Sequence, residues 1–301
     1  MIFVDYALQY LNESRANVKV STAAQYEYLI HKLTPYIGQD ELSSFDTQRI
    51  QQLADALVSD GMSKRSVTNL IIFTRMILRN AMRAHVIPIF NFDKIRNRGL
   101  KTYNDRPCIT DGEFDLLVDY CQNNPETRGA NAVLLALYAG LRIGEIAALK
   151  WSDISFPRNS ITVNRTRQRI YSYTQKSTVV DGTPKSATSH RNIPMAIKLR
   201  QALENYRTQH PKITFVASLL PNGTEPRQIR LHMEKIMIKA GIEKINPHAL
   251  RHTFISRAIN RGGNVKAVSE IAGHADAKIT LNIYTHASEA SKQQAIACLD
   301  L

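Results

Sequence analysis

The chain has 301 residues, of which 44% are hydrophobic, so it is long enough for two globular domains and too apolar to be disordered. Its net charge of +13 favours a polyanionic partner, and no apolar run approaches the length of a membrane span. Three scattered cysteines (Cys108, Cys121 and Cys298) indicate neither a disulfide framework nor a zinc cluster, and the start lacks a secretory signal, which together fit the reducing cytoplasm.

The first ninety residues carry a repeating apolar pattern that is typical of helices. Apolar residues recur at spacings of three and four in four segments, of which the last and longest covers residues 64–84. Ser21, Asp46 and Ser63 are the expected helix caps. The first helix begins almost at Met1, so we expect no further domain ahead of it.

The segment at 64–84 separates into two faces at 100° per residue. The apolar face consists of Val67, Leu70, Ile71, Ile77, Leu78 and Ala81. The polar face is interrupted by Ile72 and Met76 and is rich in arginine. Both a solvated surface and a helix that follows DNA phosphates fit this pattern. The candidate DNA-binding residues are Lys64, Arg65, Asn69, Arg75 and Arg79.

Residues 91–108 have little periodicity and many charges, which indicates a connection between two domains. We expect a helical domain over 1–100, a linker over 101–108 and a second domain over 109–301. Residues 106–301 hold 26 basic and 16 acidic residues, whereas residues 1–105 hold 13 and 10. Most of the positive charge therefore belongs to the second domain.

The second domain begins and ends with helical patterns that flank a β-like region. Residues 160–195 are rich in Thr, Val, Ile and Tyr, and Asp181-Gly182-Thr183-Pro184 predicts a turn of a hairpin. Helical periodicity resumes at about residue 195. The expected fold class is mainly α with a small β-sheet in the C-terminal domain.

The stretch "NPHALRHTF" combines a helix start with two unusual side chains. Asn246-Pro247 is typical of a first helical turn, and His248 and Arg251 lie three residues apart on one face. Leu250 and Phe254 face elsewhere and form the expected buried side. The pair is either an accident of the surface or an anion site, since the guanidinium group suits phosphate.

Several common chemistries lack their motifs. There is no phosphate-binding loop of the G-x-x-x-x-G-K-[ST] type, and G-x-S-x-G is absent. His248 and His252 have the spacing of a zinc helix, but Ala249 stands where the glutamate of H-E-x-x-H is required. We expect neither a metal nor another cofactor.

Five short motifs, taken in order, resemble the tyrosine recombinase family, which is also called the phage integrase family. They are "GLRIGE", "PKSATSHRNIP", "HALRHTF", "AGH" and "YTH", and together they span most of the second domain. The family usually has Leu before the Gly-His of the fourth motif, where this chain has Ala272. The resemblance implies a helical core-binding domain followed by an α/β catalytic domain.

The resemblance also implies a role for each matching residue. Arg142, Arg251 and His274 would bind the phosphate, and Tyr284 would be the nucleophile. His248 would assist its deprotonation, while Lys185 in the hairpin would be the general acid, with Lys176 as a weaker candidate. Glu145 and His252 would be structural support. The product would be a 3′-phosphotyrosine and a free 5′-hydroxyl, formed without metal or ATP.

The implied partners are double-stranded DNA recombination sites and further copies of this chain. Four protomers would assemble on two sites in the nucleoid and exchange strands through a Holliday junction, with accessory DNA-bending or directionality factors as additional partners. The tail at 287–301 would dock on a neighbouring protomer or pack on its own domain.

Two rival hypotheses also fit the sequence: a type IB topoisomerase or telomere-resolving enzyme, and a DNA-binding protein without cutting activity.

Overall fold

The computed structural model describes residues 1–93, 95–97, 99, 108–171, 177–182, 190–274, 276, 278, 280 and 281. It divides the chain into two compact units, namely Met1–Asn104 with Ile170–Thr178, and Asp105–Arg169 with Val179–Leu301. The predicted fold class is confirmed, because helices dominate and the named strands form two small sheets. No helix in the described ranges is both long enough and apolar enough to cross a membrane.

The first unit is built from four helices that surround one apolar core. Their bounds are α1 Phe3–Ser14, α2 Val20–Ile37, α3 Thr47–Ser59 and α4 Lys64–Arg83. The six residues predicted for the apolar face of α4 are each at most 6% exposed. The periodicity of α4 therefore identified its buried face correctly. Phe73 and Met82 are buried as well and widen that face.

Two of the three predicted helix caps are confirmed. The Asp46 carboxylate accepts a hydrogen bond from the Arg49 amide at 2.6 Å, and the Ser63 hydroxyl accepts one from the Ser66 amide at 3.3 Å. The prediction for Ser21 is wrong. Helix α2 begins at Val20 with Lys19 in the cap position, so Ser21 lies inside the first turn, where it cannot act as the N-cap.

The second unit places an apolar helix at its centre. Nine of the ten residues of α6 are buried, and its neighbours include α5, α8, α9 and α10. A helix that is apolar on all sides is expected in a core. The helices of this unit are α5 Asp111–Asn123, α6 Ala130–Ala139, α7 Ile143–Ala148, α8 Ile197–Gln209, α9 Pro226–Lys239, α10 His248–Asn260 and α11 Val265–Ala272.

The strands of the molecule form a three-stranded and a two-stranded sheet, with the orders β1-β2-β5 and β3-β4. Their bounds are β1 Ile154–Ser155, β2 Ser160–Val163, β3 Thr166–Ile170, β4 Thr178–Gly182 and β5 Arg191–Pro194. Strand β5 pairs antiparallel with β2, so that Ile193 lies opposite Ile161 and Arg191 opposite Val163. Because side chains alternate along a strand, Arg191 faces inward together with Ile193.

The predicted turn at Asp181-Gly182-Thr183-Pro184 is wrong in its first half. Asp181 and Gly182 are the last two residues of β4, while Thr183 and Pro184 lie outside the described residues. The Asp181 carboxylate receives two hydrogen bonds from the Arg167 guanidinium on β3, at 2.6 and 2.8 Å. Asp181 is typical of a turn in local sequence statistics, but here it forms a cross-strand ion pair with Arg167.

Candidate active site

Arg142 is positioned by the abrupt end of the central helix. Gly140 ends α6 with a φ of +60°, and a Cβ at this position would lie 2.4 Å from the ring of Phe254, so only glycine fits. Two residues later Arg142 caps α7, and its amide donates to the Glu145 carboxylate at 2.9 Å. Its guanidinium donates to Glu145 at 2.9 Å and to the Gly273 carbonyl at 2.6 Å.

Glu145 is the buried acid around which this site is organised. Its side chain is 3% exposed and accepts hydrogen bonds from both Arg142 and Arg191. Burial alone would raise the pKa of this carboxyl, but the hydrogen bonds and charges of Arg191 and Arg142 outweigh burial and lower it. Glu145 is therefore ionised at neutral pH and fixes the two arginines.

Arg191 belongs to the same cluster and was not among the predicted site residues. Its side chain is 6% exposed, and its guanidinium donates to both oxygens of Glu145 at 3.1 and 2.9 Å. Its Nε donates to the Ile271 carbonyl at 2.5 Å. The signal was present in the sequence "RNIP", because alternation places the arginine on the same side as Ile193, and an inward arginine requires a buried partner.

Arg251 is almost completely buried, at 1% exposure. Its Nη1 donates to the Gly140 carbonyl at 2.5 Å and its Nη2 to the Ala272 carbonyl at 2.6 Å, which joins the ends of α6 and α11. Its Nε has no hydrogen-bond partner among the described residues. Burial, followed by the charge of Arg142, lowers the pKa of Arg251 to about 9, so it remains a cation at neutral pH. This excludes the surface-accident interpretation of "HALR".

The cluster has an excess of positive charge. Among the described residues, Arg142 and Arg191 bond to the Glu145 carboxylate, and Arg251 lies close enough to interact with it electrostatically. Arg142 is also 36% exposed, so one member of the cluster reaches the surface. Such an arrangement is stabilised by a bound anion, and guanidinium groups match the geometry of phosphate oxygens.

Two histidines flank the arginines, and both are neutral at pH 7. His248 is the first residue of α10, and partial desolvation together with the charges of His252, Arg251 and Arg142 lowers its pKa to about 4. Burial and the same arginines lower the pKa of His274 to about 4. A neutral imidazole has one donor and one acceptor nitrogen, so each ring can donate a hydrogen bond through one nitrogen and accept a proton at the other.

His274 is oriented by its neighbours in the chain. It follows Gly273, which ends α11 with a φ of +66° and whose missing Cβ leaves room for the Arg191 guanidinium. The His274 Nδ1 lies 2.8 Å from the Thr280 hydroxyl. This contact leaves Nε2 as the ring nitrogen that can face a ligand.

His252 stacks edge-on against His248, with the ring centroids 4.6 Å apart. Its Nδ1 is buried and has no hydrogen-bond partner in the described parts of the chain. Burial and the charge of Arg251 lower its pKa. His252 therefore contacts the ring of His248.

The remaining predicted catalytic residues lie outside the described residues. These are Lys185, the weaker candidate Lys176, and Tyr284. The structure thus brings together Arg142, Glu145, His248, Arg251 and His274, and adds Arg191 to them. No metal-binding group of three or more His, Cys, Asp or Glu side chains is found in the described ranges.

The predicted DNA-binding residues lie on α4 in the other unit. Lys64, Arg65, Asn69 and Arg79 are exposed, whereas Arg75 is half-buried. The Arg75 guanidinium donates to the Asp93 carbonyl at 2.5 Å and lies 5.4 Å from the ring centre of Phe92. Burial, followed by the charge of Arg79, lowers the pKa of Arg75.

Comparisons with known proteins agree with the motifs. The profile of the phage integrase family matches residues 108–291, and that of the phage integrase N-terminal SAM-like domain matches residues 2–58. A tyrosine recombinase XerD of Rickettsia bellii is 26% identical over 95% of this chain and 94% of its own length. A tyrosine recombinase XerC-like protein of Caldanaerobacter subterraneus is 30% identical over 56% of this chain, a match that spans 48% of that protein.

A solved structure supports the fold. The Tn1549 transposon integrase in complex with transposon right end DNA superimposes with a TM-score of 0.82 at 22% identity and covers 100% of both chains. Since the family profile alone covers more than half of the sequence, the chain belongs to the phage integrase family of tyrosine-type site-specific DNA recombinases.

Proposed function

We propose that the cluster around Glu145 binds a DNA phosphodiester and that Tyr284 exchanges it for a phosphotyrosine bond. The observation that carries this proposal is the excess positive charge of three clustered arginines, one of which is buried with an unpaired Nε among the described residues. A phosphodiester bears one negative charge and gains more on its nonbridging oxygens as a nucleophile attacks. Arg142, Arg251 and His274 would donate to those oxygens.

Donors that are already in place lower the barrier most effectively. Each donor directed at charge that develops in the transition state contributes roughly 3–4 kcal/mol, by analogy with oxyanion holes. Arg142 and Arg251 are held by main-chain carbonyls and by Glu145, so little reorganisation is required before reaction. Glu145 and Arg191 would position these donors rather than contact the phosphate.

The nucleophile must lose a proton, and the neutral state of His248 supports its role as acceptor. The free tyrosine hydroxyl has a pKa of about 10. A neutral imidazole can take its proton, and a bound phosphate would raise the pKa of His248 from its low value by adding negative charge nearby. In this step the Tyr284 oxygen bonds to phosphorus, and the phenolic proton moves to His248.

The leaving group is the 5′-oxygen, which must gain a proton as its bond to phosphorus breaks. An alcohol is a poor leaving group because its pKa is near that of water, about 16. We assign the proton to the Lys185 ammonium, with Lys176 as the alternative. The products are a 3′-phosphotyrosine and a free 5′-hydroxyl, and reversal of the same steps with a new 5′-hydroxyl rejoins the strands.

At the level of the assembly, each of the two units would contact the DNA of a recombination site. Four protomers would join two sites and exchange strands through a Holliday junction, with accessory DNA-bending or directionality proteins as additional partners. The net charge of +13 supports binding to DNA. The proposed location is the nucleoid in the cytoplasm.

The experiment that tests the chemistry is replacement of Tyr284 by phenylalanine. We expect Tyr284→Phe to bind DNA as well as the wild-type chain and to form no covalent adduct with a nicked suicide duplex, because only the hydroxyl is lost. Denaturing gels of the protein–DNA mixture measure the adduct, and sequencing of the trapped ends maps the cleavage site. A normal adduct yield from the variant would refute Tyr284 as the nucleophile.

The same wild-type reaction separates the rival functions. A DNA-binding protein without cutting activity would give no adduct at any site. A type IB topoisomerase would relax supercoiled plasmid without a defined site, whereas a recombinase exchanges strands only between two copies of its site.

A further inference from the structure

Helix α4 presents its exposed residues in a charged, neutral, charged order. Lys64 and Arg65 lie at its start, and Arg79 and Arg83 lie at its end. Ile72 lies midway between Arg65 and Arg79 and is 61% exposed. At 1.5 Å per residue, each arginine is about 10 Å from Ile72 along the helix axis.

Arg75 is the basic residue of α4 between Arg65 and Arg79, and its side chain lies away from the exposed face. Arg75 donates to the Asp93 carbonyl on the flank of the helix. Arg75 and Arg79 both lie over the Phe92 ring, at 5.4 and 5.2 Å, but Arg79 makes this contact while it is exposed. Its half-buried position removes its charge from the middle of the exposed face. Met76, next to Ile72 on that face, packs partly against the core of the unit.

In the described part of the chain, the middle of the exposed face carries no charge. It presents the amide of Asn69 and the aliphatic side chain of Ile72. Thr68 is occupied, because its hydroxyl donates to the Lys64 carbonyl and accepts from the Asn97 amide, both at 2.9 Å. Asn69 is exposed, and no hydrogen bond of its side chain is found within the described ranges. Ile72 is a large aliphatic residue that stays 61% exposed between cations, and the described residues do not cover it.

We infer that Asn69 and Ile72 read base edges in the major groove while the cations at the two ends of α4 contact the phosphates on either side. This inference rests on the proposed binding of DNA and adds the specificity-determining residues to it. The major groove, about 12 Å wide, admits an α-helix. Asparagine pairs with both N6 and N7 of adenine, and an apolar side chain contacts the methyl group of thymine.

The spacing of Asn69 and Ile72 along the helix determines which base pairs they would contact. Asn69 and Ile72 are three residues apart, or about 4.5 Å along the helix, which is close to the 3.4 Å rise of one base-pair step. We therefore expect α4 to select an adenine and a thymine at adjacent or nearly adjacent positions of each half-site. The cations contribute affinity without sequence information.

The experiment is selection of bound duplexes from a random DNA pool by the full-length chain, followed by sequencing. It is repeated with Asn69→Ala, Ile72→Ala and Arg79→Ala. Gln52→Ala is the matched control, because Gln52 is an exposed amide on α3 rather than on α4. Thermal unfolding of each variant checks that these exposed substitutions leave the fold intact.

We expect Asn69→Ala to lose the preference for one adenine by roughly tenfold or more, and Ile72→Ala to weaken the preference for a neighbouring thymine. Arg79→Ala should keep both preferences but bind every sequence more weakly, with a slope of log affinity against log salt reduced by about one. Gln52→Ala should match the wild-type chain.

A wild-type consensus that Asn69→Ala and Ile72→Ala both reproduce would overturn the inference, as would failure of the wild-type chain to enrich any sequence. If Arg79→Ala also binds like the wild type, α4 does not face DNA at all. Adduct formation on suicide DNA is a separate measurement, so failure of the proposed catalytic chemistry is distinguishable from failure of this inference.

Discussion

His248 and Arg251 are three residues apart on α10, yet their surroundings differ sharply. The histidine is exposed at the first position of the helix, whereas the arginine is 1% exposed and bonded to two carbonyls. The histidine is therefore open to exchange protons with a ligand, while the arginine supplies a fixed charge beneath it. The low pKa of His248 follows first from partial desolvation of its ring and then from the charges of His252, Arg251 and Arg142.

We expect His248 to titrate near pH 4 in the free protein and at higher pH when DNA is bound. Desolvation and positive neighbours disfavour the imidazolium form, and a phosphate would favour it. Because the pKa is about 6.5 in the unfolded chain, stability should fall as pH drops from about 6.5 to about 4. Nuclear magnetic resonance of the imidazole signals measures both values, with His248→Gln providing the assignment. Titration near pH 6.5 without DNA would contradict the expectation.

The site residues that lie in one of the five motifs could be predicted from the sequence. The five motifs identified Arg142, Glu145, His248, Arg251 and His274 as members of one site, and the structure brings these residues together. Their main-chain partners were not predictable, because any residue type supplies a carbonyl. The roles of Lys185 and Tyr284 stay predictions, since both lie outside the described residues.

The Arg191 side chain connects strand β5 of the three-stranded sheet to the site. Arg191 joins β5 to α7 through Glu145 and to α11 through the Ile271 carbonyl. Both partners of the ion pair are at most 6% exposed. Removal of one partner of a buried pair costs about 3–5 kcal/mol when the other charge is left unpaired, and because Glu145 keeps Arg142 we expect the lower end of that range.

We expect Arg191→Met to lower the free energy of unfolding by about 3 kcal/mol and to slow single-turnover DNA cleavage. Arg142 would then be the remaining arginine bonded to Glu145 and would be less available to a phosphate. The double variant Arg191→Met with Glu145→Met should recover part of the stability, because Glu145 also pairs with Arg142, but not cleavage. Chemical denaturation and cleavage of suicide DNA measure the two effects.

The matched control is Arg200→Met, which breaks an ion pair with Glu204 on the surface of α8, where both side chains are 38% exposed. Its cost should stay below about 0.5 kcal/mol. If Arg191→Met were as stable as Arg200→Met, or cleaved DNA at the wild-type rate, the positioning role of Arg191 would be wrong.

The helices were easier to predict than the strands and turns. A buried face repeats over five turns of α4, so an error at one position does not change the assignment. The predicted turn rested on only four residues, 181–184, and the first two belong to β4, where Asp181 is paired with Arg167. The Ser21 cap failed in a similar way, because a cap is a single-residue signal and α2 begins one residue before it.

For the whole molecule, the order of the motifs was more informative than any single feature. Net charge alone also fits a ribosomal protein, and one arginine at a helix start has many explanations. Five motifs in order identified the family, and the match of residues 108–291 to the phage integrase family confirms it. The fold class followed from that resemblance and from the helical periodicity, and it is confirmed as well.

We expect truncation after residue 286 to preserve binding to a single half-site and to impair assembly on two. The tail carries apolar residues at helical spacings, namely Ala290, Ala295, Ile296 and Leu299. If this face docks on a neighbouring protomer, its loss removes cooperativity between protomers. Sedimentation on DNA with one or two selected half-sites compares the two chains.

Single substitutions refine that comparison. Ile296→Asp should reproduce the truncation, and Gln294→Asp should not, because it adds the same charge at a residue outside the apolar set. Unchanged cooperativity in the truncated chain would mean that the tail packs on its own protomer.

Arg142 and Arg251, the two arginines that we propose bind phosphate, are held largely by main-chain oxygen atoms. Arg142 bonds to the Gly273 carbonyl, and Arg251 bonds to those of Gly140 and Ala272. A substitution cannot delete a main-chain oxygen; it can only move it. Mutational damage to this site should therefore concentrate at the two left-handed glycines, Gly140 and Gly273, where any side chain would displace the acceptor.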